Sequence, residues 1–494
     1  MKEMTIDEIK LFRDRHRIPV TDEEIEKNQY AMPYYHPGPD APEIKYLQER
    51  RQQLGGYVPE RRKKYDPLPM PPESTYKHAR KGSGKQQIAT TMAFVRLLRD
   101  LMRDKNIGQR IVPIIPDEAR TFGMDSFFPT AKIYNPRGQN YMSVDRDLFL
   151  SYKESPQGQL WHVGINEAGA TSALTAAGTS YSTHGEIMIP IYVFYSMFGF
   201  QRTGDSFWAA ADQLTRGFVI GATAGRTTLA GEGTQHMDGH SPILAGTNPG
   251  VKHYDPAFSY EIAHIMRNGL HEMYGDHDLG DSVRNVMYYI TVYNEPITHQ
   301  PEPEDIDIDG LVRGIYRYSK SDIGGPKANL FGSGVSLPWV IEASEILAND
   351  WGVAADVWSV TSWNELRRDA VAAEREHLNN PDAQPRVPYI TQVMSETEGP
   401  VVATTDFATL LPDQIRQYIP NEFATLGADD FGFSDTRAAA RRFFKIDAHS
   451  AVVRTLQMLE ESGDIDEGTA ATAFAQYGLD DVNRGTTGTA GGDA

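Results

Sequence analysis

Apolar segments with the composition of β-strands alternate with helix-like segments along most of this sequence. Strands are expected at residues 110–115, 187–195, 217–222, 286–293, 328–331, 356–360, 401–404 and 423–426. Helices are expected between them, at residues 86–104, 205–213, 255–274, 340–349, 366–378, 410–418, 437–444 and 448–461. This alternation is typical of α/β domains with a largely parallel sheet. Each of two such regions has enough residues for its own core.

Composition divides the chain further. The first 85 residues have two short helix candidates, one after Thr5 (with Glu8 completing a capping box) and one beginning at Thr21. Nine prolines between residues 33 and 72 then favour an extended segment. We therefore predict a linker arm with short helices at 1–85, a middle region at 86–300, a C-terminal region at 311–480 and a disordered tail at 481–494.

Charge and cysteine content exclude several classes of function. The sequence has 48 basic and 67 acidic side chains, a net charge of −19, whereas proteins that bind DNA or RNA usually have a basic excess. It has no cysteine, which excludes disulfides, a thiolate nucleophile and cysteine-based zinc or iron–sulfur sites. The N-terminus lacks the apolar segment of a secretory signal, and no apolar stretch is long enough to cross a membrane. A cytoplasmic protein without nucleic-acid or membrane partners is expected.

Glu167 lies directly after an apolar segment, within the sequence GINEAGA at residues 164–170. A carboxylate in this position is placed where α/β sheets present ligand-binding groups. The same pattern suits a capping or turn residue on a surface loop, since carboxylates are common in turns. Spacing alone leaves both interpretations open.

Five aromatic residues lie within nine positions in the sequence YVFYSMFGF, residues 192–200. They suit a platform on which a flat heterocycle stacks, and they equally suit packing in the core. Paired carboxylates, Asp117 and Glu118, end another apolar segment. Such a pair can divide into a protonated and an ionised member, or one member can form an ion pair with Arg120.

Two histidines and two carboxylates occur among glycines in the sequence GEGTQHMDGH, residues 231–240. Zinc binding by His236 and His240 is disfavoured, because the neighbouring glycines oppose the helix that this spacing requires. A catalytic or substrate-binding role for His236 fits better, since histidine titrates near neutral pH. A structural loop with solvated histidines is the alternative.

Taken together, these segments resemble the homodimeric-type pyruvate dehydrogenase decarboxylating component, the thiamine-diphosphate-dependent subunit of the bacterial pyruvate dehydrogenase complex. The resemblance is carried by IIPDEARTFGM (114–124), GINEAGA (164–170), YSMFGFQR (195–202), GRTTLAGEGTQHMDGHS (225–241) and TDFATLLPDQIRQYIP (405–420). It implies an α/β fold of two transketolase-like domains. The middle region would be the pyrimidine-binding domain, and the C-terminal region the transketolase-like C-terminal domain.

The resemblance also implies roles for individual residues. Glu167 would be catalytic and contact the aminopyrimidine ring of thiamine diphosphate, favouring its imino tautomer. Tyr195 and Phe198 would line and stack on that ring, and His236 would face the substrate. Three further polar residues would lie around the same centre: Asp117, Glu118 and Arg202.

The reaction implied is oxidative decarboxylation of pyruvate, with transfer of the acetyl group to a lipoyl domain of the dihydrolipoyl acetyltransferase. The implied partners are a second copy of the chain, or a chain that carries the diphosphate-binding domain. Members of the family have that third domain, in which a Gly-Asp-Gly motif with a downstream asparagine holds magnesium and the diphosphate. This sequence lacks the motif. We therefore expect the magnesium ligands to lie on a domain outside this sequence, and the chain alone to be inactive.

Two other hypotheses stay open. The chain could be a truncated fragment that dimerises without catalytic activity. It could also belong to another thiamine-dependent, transketolase-like enzyme. The close match of YSMFGFQR and of residues 231–240, called the histidine loop below, disfavours this.

Overall fold

The computed structural model describes residues 4–28, 34–57, 65–116, 119–144, 146–147, 152–229, 232–277 and 285–485. The chain separates into two units, Met1–Arg62 and Lys63–Ala494. The middle and C-terminal regions both lie in the second unit. Within the described residues, no helix combines the length and the apolar character needed to span a bilayer.

The first unit contains three helices, α1 (Ile6–His16), α2 (Asp22–Asn28) and α3 (Pro42–Gln53). The helices expected near Thr5 and Thr21 are confirmed. The predicted capping box is present, because the Glu8 N–H donates to Thr5 Oγ1 at 3.3 Å and the Thr5 N–H donates to Glu8 Oε2 at 2.7 Å. Helix α3 lies in the proline-rich segment that was expected to be extended. Pro42 occupies its first turn, where a proline costs no hydrogen bond.

The middle region is built on a parallel sheet. Its strands are β1 (Gln87–Ala89), β2 (Ile111–Ile115), β3 (Ile133–Tyr134), β4 (Glu154–Ser155), β5 (Trp161–His162), β6 (Ile189–Tyr195), β7 (Gly217–Ala222), β8 (Val251–Tyr254), β9 (Met287–Thr291) and β10 (Pro296–Thr298). Six of them form one sheet in the order β5-β2-β6-β7-β9-β8, with every neighbouring pair parallel. Two short pairs stand apart: β1 with β10, antiparallel, and β3 with β4, parallel.

Helices cover this sheet and connect its strands. They are α4 (Lys77–Arg80), α5 (Thr90–Met102), α6 (Glu167–Gly178), α7 (Ser180–Thr183), α8 (Gly199–Asp212), α9 (Ser241–Gly246) and α10 (Ser259–Tyr274). Because the strands of the six-stranded sheet are parallel, their carboxyl ends meet at one edge. This is the edge at which open α/β sheets place their ligand sites.

The C-terminal region has a mixed five-stranded sheet. Its strands are β11 (Tyr316–Ser319), β12 (Lys327–Gly332), β13 (Ala354–Ser359), β14 (Val401–Thr404) and β15 (Phe423–Leu426). Their order is β11-β13-β12-β14-β15, and only β11 is antiparallel to its neighbour. Its helices are α11 (Ile308–Arg313), α12 (Leu337–Trp351), α13 (Trp363–Asn379), α14 (Tyr389–Met394), α15 (Leu410–Asp413), α16 (Arg437–Phe444), α17 (Ala448–Ser462) and α18 (Thr469–Tyr477). The predicted α/β class is confirmed.

Of the eight predicted helices, 437–444 has the predicted bounds, and three of the others differ as follows. The first residues of the segment 86–104 pair with β10 as β1, so that the helix begins at Thr90. The helix expected at 205–213 begins earlier, at Gly199. The segment 410–418 is divided into the short α15 and a 3₁₀ turn at Arg416–Tyr418. In the predicted tail, Val482–Arg484 forms a 3₁₀ turn, and residues 486–494 lie outside the described residues.

The prediction that Asp255 and Pro256 begin a helix is wrong. Helix α10 begins at Ser259, and Asp255 is buried. Its Oδ1 accepts hydrogen bonds from Thr291 Oγ1 (2.7 Å) and Tyr293 Oη (2.6 Å). The Asp255 side chain therefore makes long-range hydrogen bonds and does not cap a helix that begins at Pro256.

Burial raises the pKa of Asp255 to about 6, chiefly because the ionised carboxylate loses its hydration. An aspartate whose pKa is higher in the folded chain than in the unfolded chain lowers stability increasingly as the pH rises from about 4 to 6. Asp255→Asn keeps an oxygen acceptor without the charge. We expect it to raise the free energy of unfolding at pH 8 by up to about 3 kcal/mol, and with it the thermal unfolding midpoint. Thermal unfolding at pH 5 and pH 8 checks this. A gain that is larger at pH 5 would contradict it.

Candidate active site

Glu167 is the first residue of α6, and its carboxylate is largely enclosed. The helix cap is the neighbouring Asn166, whose Oδ1 accepts a hydrogen bond from the Gly169 N–H at 2.9 Å. The Glu167 side chain is 13% exposed, and Arg202 Nη1 donates to its Oε1 at 3.0 Å. The capping role is thus filled by Asn166, and the Glu167 carboxylate is available for another partner.

The aromatic residues at the end of β6 divide into a buried pair and a half-buried pair. Tyr192 and Phe194 are fully buried in the core. Tyr195 and Phe198 are half-buried, with ring centroids 6.1 Å apart and ring planes at 78°. Phe122 packs against Tyr195 with its ring edge on, at 5.1 Å between centroids. The two half-buried rings therefore form an aromatic corner at the carboxyl edge of the sheet.

Arg202 joins the carboxylate to this aromatic corner. Its guanidinium carbon lies 3.8 Å from the centroid of the Phe198 ring, while the same group donates to Glu167. A guanidinium over an aromatic face is attracted to the ring and is held in place by it. Arg202 thus positions the Glu167 carboxylate relative to Phe198.

His236 lies against the same two rings. Its ring centroid is 5.3 Å from that of Tyr195 and 5.0 Å from that of Phe198. His236 Nδ1 is 3.2 Å from Glu232 Oε2, four residues earlier. In the sequence, Glu232 is recognisable only as one carboxylate of the loop. The structure gives it a contact with the candidate catalytic histidine.

Asp238 fastens the histidine loop to the segment after β6. Its carboxylate is buried and accepts hydrogen bonds from Ser196 Oγ and from the N–H groups of His240 (3.0 Å) and Ser241 (2.9 Å). Ser241 Oγ in turn donates to the Ser196 carbonyl at 3.0 Å. Since Ser196 lies between Tyr195 and Phe198, these bonds fix the distance from the histidine loop to the aromatic corner. Sequence reasoning missed this function of Asp238.

The C-terminal region holds the other end of this loop. The buried Asp406 accepts hydrogen bonds from Thr227 Oγ1 (2.5 Å) and Thr228 Oγ1 (2.6 Å). Burial raises the pKa of Asp406, and the nearby Arg441 opposes that rise. The motif TDF in the C-terminal region thus contacts the motif GRTT in the middle region, and together they hold the two regions in contact next to the histidine loop.

His240 has partners of its own. Its Nε2 lies 2.5 Å from Gln201 Oε1, and its Nδ1 lies 3.5 Å from Arg226 Nη2. In the described part of the chain, no three histidine or carboxylate side chains are grouped so that they could hold a metal ion.

The structure brings five of the seven predicted residues together: Glu167, Tyr195, Phe198, Arg202 and His236. The other two, Asp117 and Glu118, lie outside the described residues. The chain leads to them through Pro116, whose carbonyl accepts a hydrogen bond from the Gly164 N–H at 2.6 Å. Their place in the site stays a prediction.

Comparison with known families identifies both regions. Residues 68–300 match the model described as the pyruvate dehydrogenase E1 component middle domain. Residues 314–447 match the transketolase-like C-terminal domain. The chain is similar to pyruvate dehydrogenase E1 components along almost its whole length. The predicted resemblance is confirmed.

Curated relatives match almost the whole chain. A pyruvate dehydrogenase E1 component of Corynebacterium glutamicum is 59% identical over 481 residues, which are 97% of this chain and 52% of the relative. The protein of that name from Escherichia coli K12 is 45% identical over 97% of this chain and 53% of its own length. The chain thus spans about half the length of these E1 components, and corresponds to their C-terminal half.

Solved structures show the same fold in distant proteins. A transketolase from Leishmania mexicana superimposes with a TM-score of 0.58 at 14% identity, covering 88% of this chain and 52% of the transketolase. At this identity the likeness establishes the transketolase-like fold and nothing finer.

Proposed function

We propose that this chain supplies the pyrimidine-binding half of a thiamine diphosphate site, and that the completed site decarboxylates pyruvate. The observation that carries the proposal is the enclosed Glu167 carboxylate, held by Arg202 next to the half-buried rings of Tyr195 and Phe198. A flat aminopyrimidine needs an apolar or aromatic surface for its face and a carboxyl group for its ring nitrogen. These residues offer both.

The residues of the chain fit one half of the cofactor. Tyr195 and Phe198 would hold the pyrimidine ring, and Glu167 would share a proton with its ring nitrogen. When bound, thiamine diphosphate supplies the electron sink that decarboxylation of a 2-oxo acid requires. Arg202 keeps the Glu167 carboxylate in one orientation, so that proton sharing needs no rearrangement.

The fit to magnesium is different. The described residues contain no cluster of metal-ligating side chains. We therefore assign magnesium and the diphosphate to a domain outside this sequence. On this proposal the chain alone is inactive.

His236 is the proposed substrate-facing group. Its Nδ1 lies 3.2 Å from Glu232 Oε2, and an imidazole N–H can donate a hydrogen bond to an oxygen that develops negative charge. The partners proposed are pyruvate, a lipoyl domain of the dihydrolipoyl acetyltransferase, and either a second copy of this chain or the chain with the diphosphate-binding domain. The proposed location is the cytoplasm.

Reconstitution tests the proposal. The chain is mixed with the separately produced N-terminal half of the Corynebacterium glutamicum relative, thiamine diphosphate and magnesium, and carbon dioxide release from pyruvate is measured. We expect carbon dioxide to be released by the mixture and not by either half alone. Cofactor binding without decarboxylation would favour the non-catalytic fragment. Transfer of a ketol group between sugar phosphates, without release of carbon dioxide from pyruvate, would favour another transketolase-like enzyme.

In the reconstituted enzyme, His236→Ala should lower kcat/KM for pyruvate by about 100-fold, the range for loss of one group that stabilises developing charge. Cofactor affinity should change by less than about threefold, because His236 is assigned to the substrate. Steady-state kinetics and cofactor titration check both values. The exposed His184 provides a matched control, His184→Ala. A larger loss in cofactor affinity than in pyruvate turnover would show that the assignment is wrong.

A further inference from the structure

A cavity of about 500 Å³ shares no residue with the candidate active site. Helix α5, the segment between α4 and β1, and Ser259 at the start of α10 form its walls. This volume lies in the range of sites that bind small organic molecules. Neither the family match nor the proposed function assigns anything to it.

The cavity collects cationic side chains. Lys81, Arg96 and Arg99 line it together with His78, whereas Asp100 is the one carboxylate among the lining residues. Asp100 is already engaged, because its Oδ2 lies 3.0 Å from His78 Nδ1 and its Oδ1 lies 3.9 Å from Arg99 Nε. The Asp100 carboxylate therefore cannot neutralise the rest of the group.

Two of the cations have no close counter-charge in the described part of the chain. Among the described residues, no carboxylate oxygen lies within 4.0 Å of the charged groups of Lys81 or Arg96. The sequence as a whole has a net charge of −19, so that a local excess of positive charge is unusual on this surface. Such a patch inside a concave site attracts anions, since the low-dielectric walls concentrate its field.

The floor of the cavity is apolar. Ala93 and Leu97 are buried and Ile88 is half-buried, and all three line the cavity. A simple inorganic anion makes no use of such a floor. An apolar floor below a cationic rim suits a molecule that joins a charged group to an apolar or heterocyclic one.

The rim is fixed in place before any ligand binds. The Ser83 N–H donates to the His299 carbonyl (3.0 Å), and Ser83 Oγ accepts from the His299 N–H (2.9 Å). Gly82 has φ +67°, and a Cβ there would lie 2.4 Å from the His299 carbonyl oxygen. Ser259 Oγ also donates to the Ala79 carbonyl at 2.6 Å. A rim that is already ordered binds without the entropic cost of ordering a loop.

We propose that this cavity binds a small phosphorylated molecule with an apolar or heterocyclic group, of which a nucleoside diphosphate is representative. Lys81 and Arg96 contact the phosphate oxygens, and Arg99 lies beside them as a third cation. Guanidinium and ammonium groups form their strongest hydrogen bonds with such oxygens. The heterocyclic group lies on Ile88, Ala93 and Leu97. The inference does not depend on the proposed function.

Calorimetric titration of the full chain with adenosine diphosphate, and separately with pyrophosphate, tests the proposal. We expect saturable binding of adenosine diphosphate that is at least about tenfold weaker in Lys81→Gln/Arg96→Gln, since each lost charge removes a charge-assisted hydrogen bond. The control Lys320→Gln/Arg375→Gln removes the same charge from exposed residues elsewhere and should change nothing. Ile88→Thr should weaken the binding of adenosine diphosphate about threefold and leave the binding of pyrophosphate unchanged, because only the nucleotide contacts the apolar floor of the cavity.

Three results would overturn the proposal. One is the absence of saturable binding to a chain whose melting curve shows that it is folded. Another is an equal loss of affinity in the rim variant and its control, which would indicate general attraction to surface charge. The third is loss of adenosine diphosphate binding in Arg202→Gln, which would place the nucleotide in the candidate active site.

Discussion

Replacing Glu167 by glutamine should slow hydrogen–deuterium exchange at the thiazolium carbon of bound thiamine diphosphate by about 100-fold or more in the reconstituted enzyme, the range for loss of one acid–base group. Glutamine has nearly the same shape but cannot share a proton with the pyrimidine nitrogen in the same way. It also loses the charge that Arg202 Nη1 contacts at 3.0 Å. The measurement is quenched-flow exchange followed by NMR of the released cofactor.

The exposed Glu186 supplies the matched control for this variant, because Glu186→Gln removes the same charge from a side chain that is 75% exposed. Its exchange rate should equal that of the unaltered chain. Cofactor binding measured in parallel separates a chemical effect from simple loss of the cofactor. An unchanged exchange rate in a Glu167→Gln enzyme that retains the cofactor would remove Glu167 from its proposed role.

The largest effect on stability is expected at Glu261, a buried glutamate in α10 that contacts the C-terminal region. Its Oε1 accepts hydrogen bonds from Tyr316 Oη (2.7 Å) and Ser359 Oγ (2.6 Å). Its Oε2 accepts from the backbone N–H groups of Ala257 and Phe258. Burial raises the pKa of Glu261, and these four donors oppose that rise.

Glu261→Ala should lower the free energy of unfolding by about 3–5 kcal/mol, because it removes the acceptor of four buried hydrogen bonds. Urea unfolding followed by circular dichroism checks the value. Glu345→Ala, at an exposed position of α12, is the control and should cost less than about 0.5 kcal/mol. Glu261→Gln should lose less stability than Glu261→Ala, since the amide oxygen of the glutamine still accepts two of the hydrogen bonds. A loss below about 1 kcal/mol in Glu261→Ala would contradict this account of the contact.

Local patterns predict most of the strands and helices in this chain. The strands expected at 217–222, 401–404 and 423–426 are confirmed with those bounds, and the strand expected at 110–115 begins one residue later, at Ile111. Each has a compact run of residues suited to a buried strand, and tertiary contacts reinforce the local preference. Asp255 shows where this reasoning fails. Its hydrogen-bond partners Thr291 and Tyr293 are 36 and 38 residues away, and no local pattern reveals them.

The candidate site was predicted in a different way. Composition and spacing left Glu167 and His236 with ordinary alternatives, and the family resemblance selected between them. The contacts that order the site join residues far apart in the chain, such as Arg202 with Glu167, 35 residues apart, and Ser196 with Asp238, 42 residues apart. The sequence therefore predicts which residues form the site, but the contacts of Glu232 and Asp238 required the fold.

The central claim is that this chain holds the pyrimidine half of a cofactor site and needs another domain for the diphosphate. Calorimetric titration with thiamine diphosphate and magnesium tests it most directly, on the chain alone and after addition of the N-terminal half of the Corynebacterium glutamicum relative. We predict weak or undetectable binding to the chain alone and tight, stoichiometric binding to the mixture. Tight binding to the purified chain alone, or the absence of binding to a mixture of folded halves, would contradict the claim.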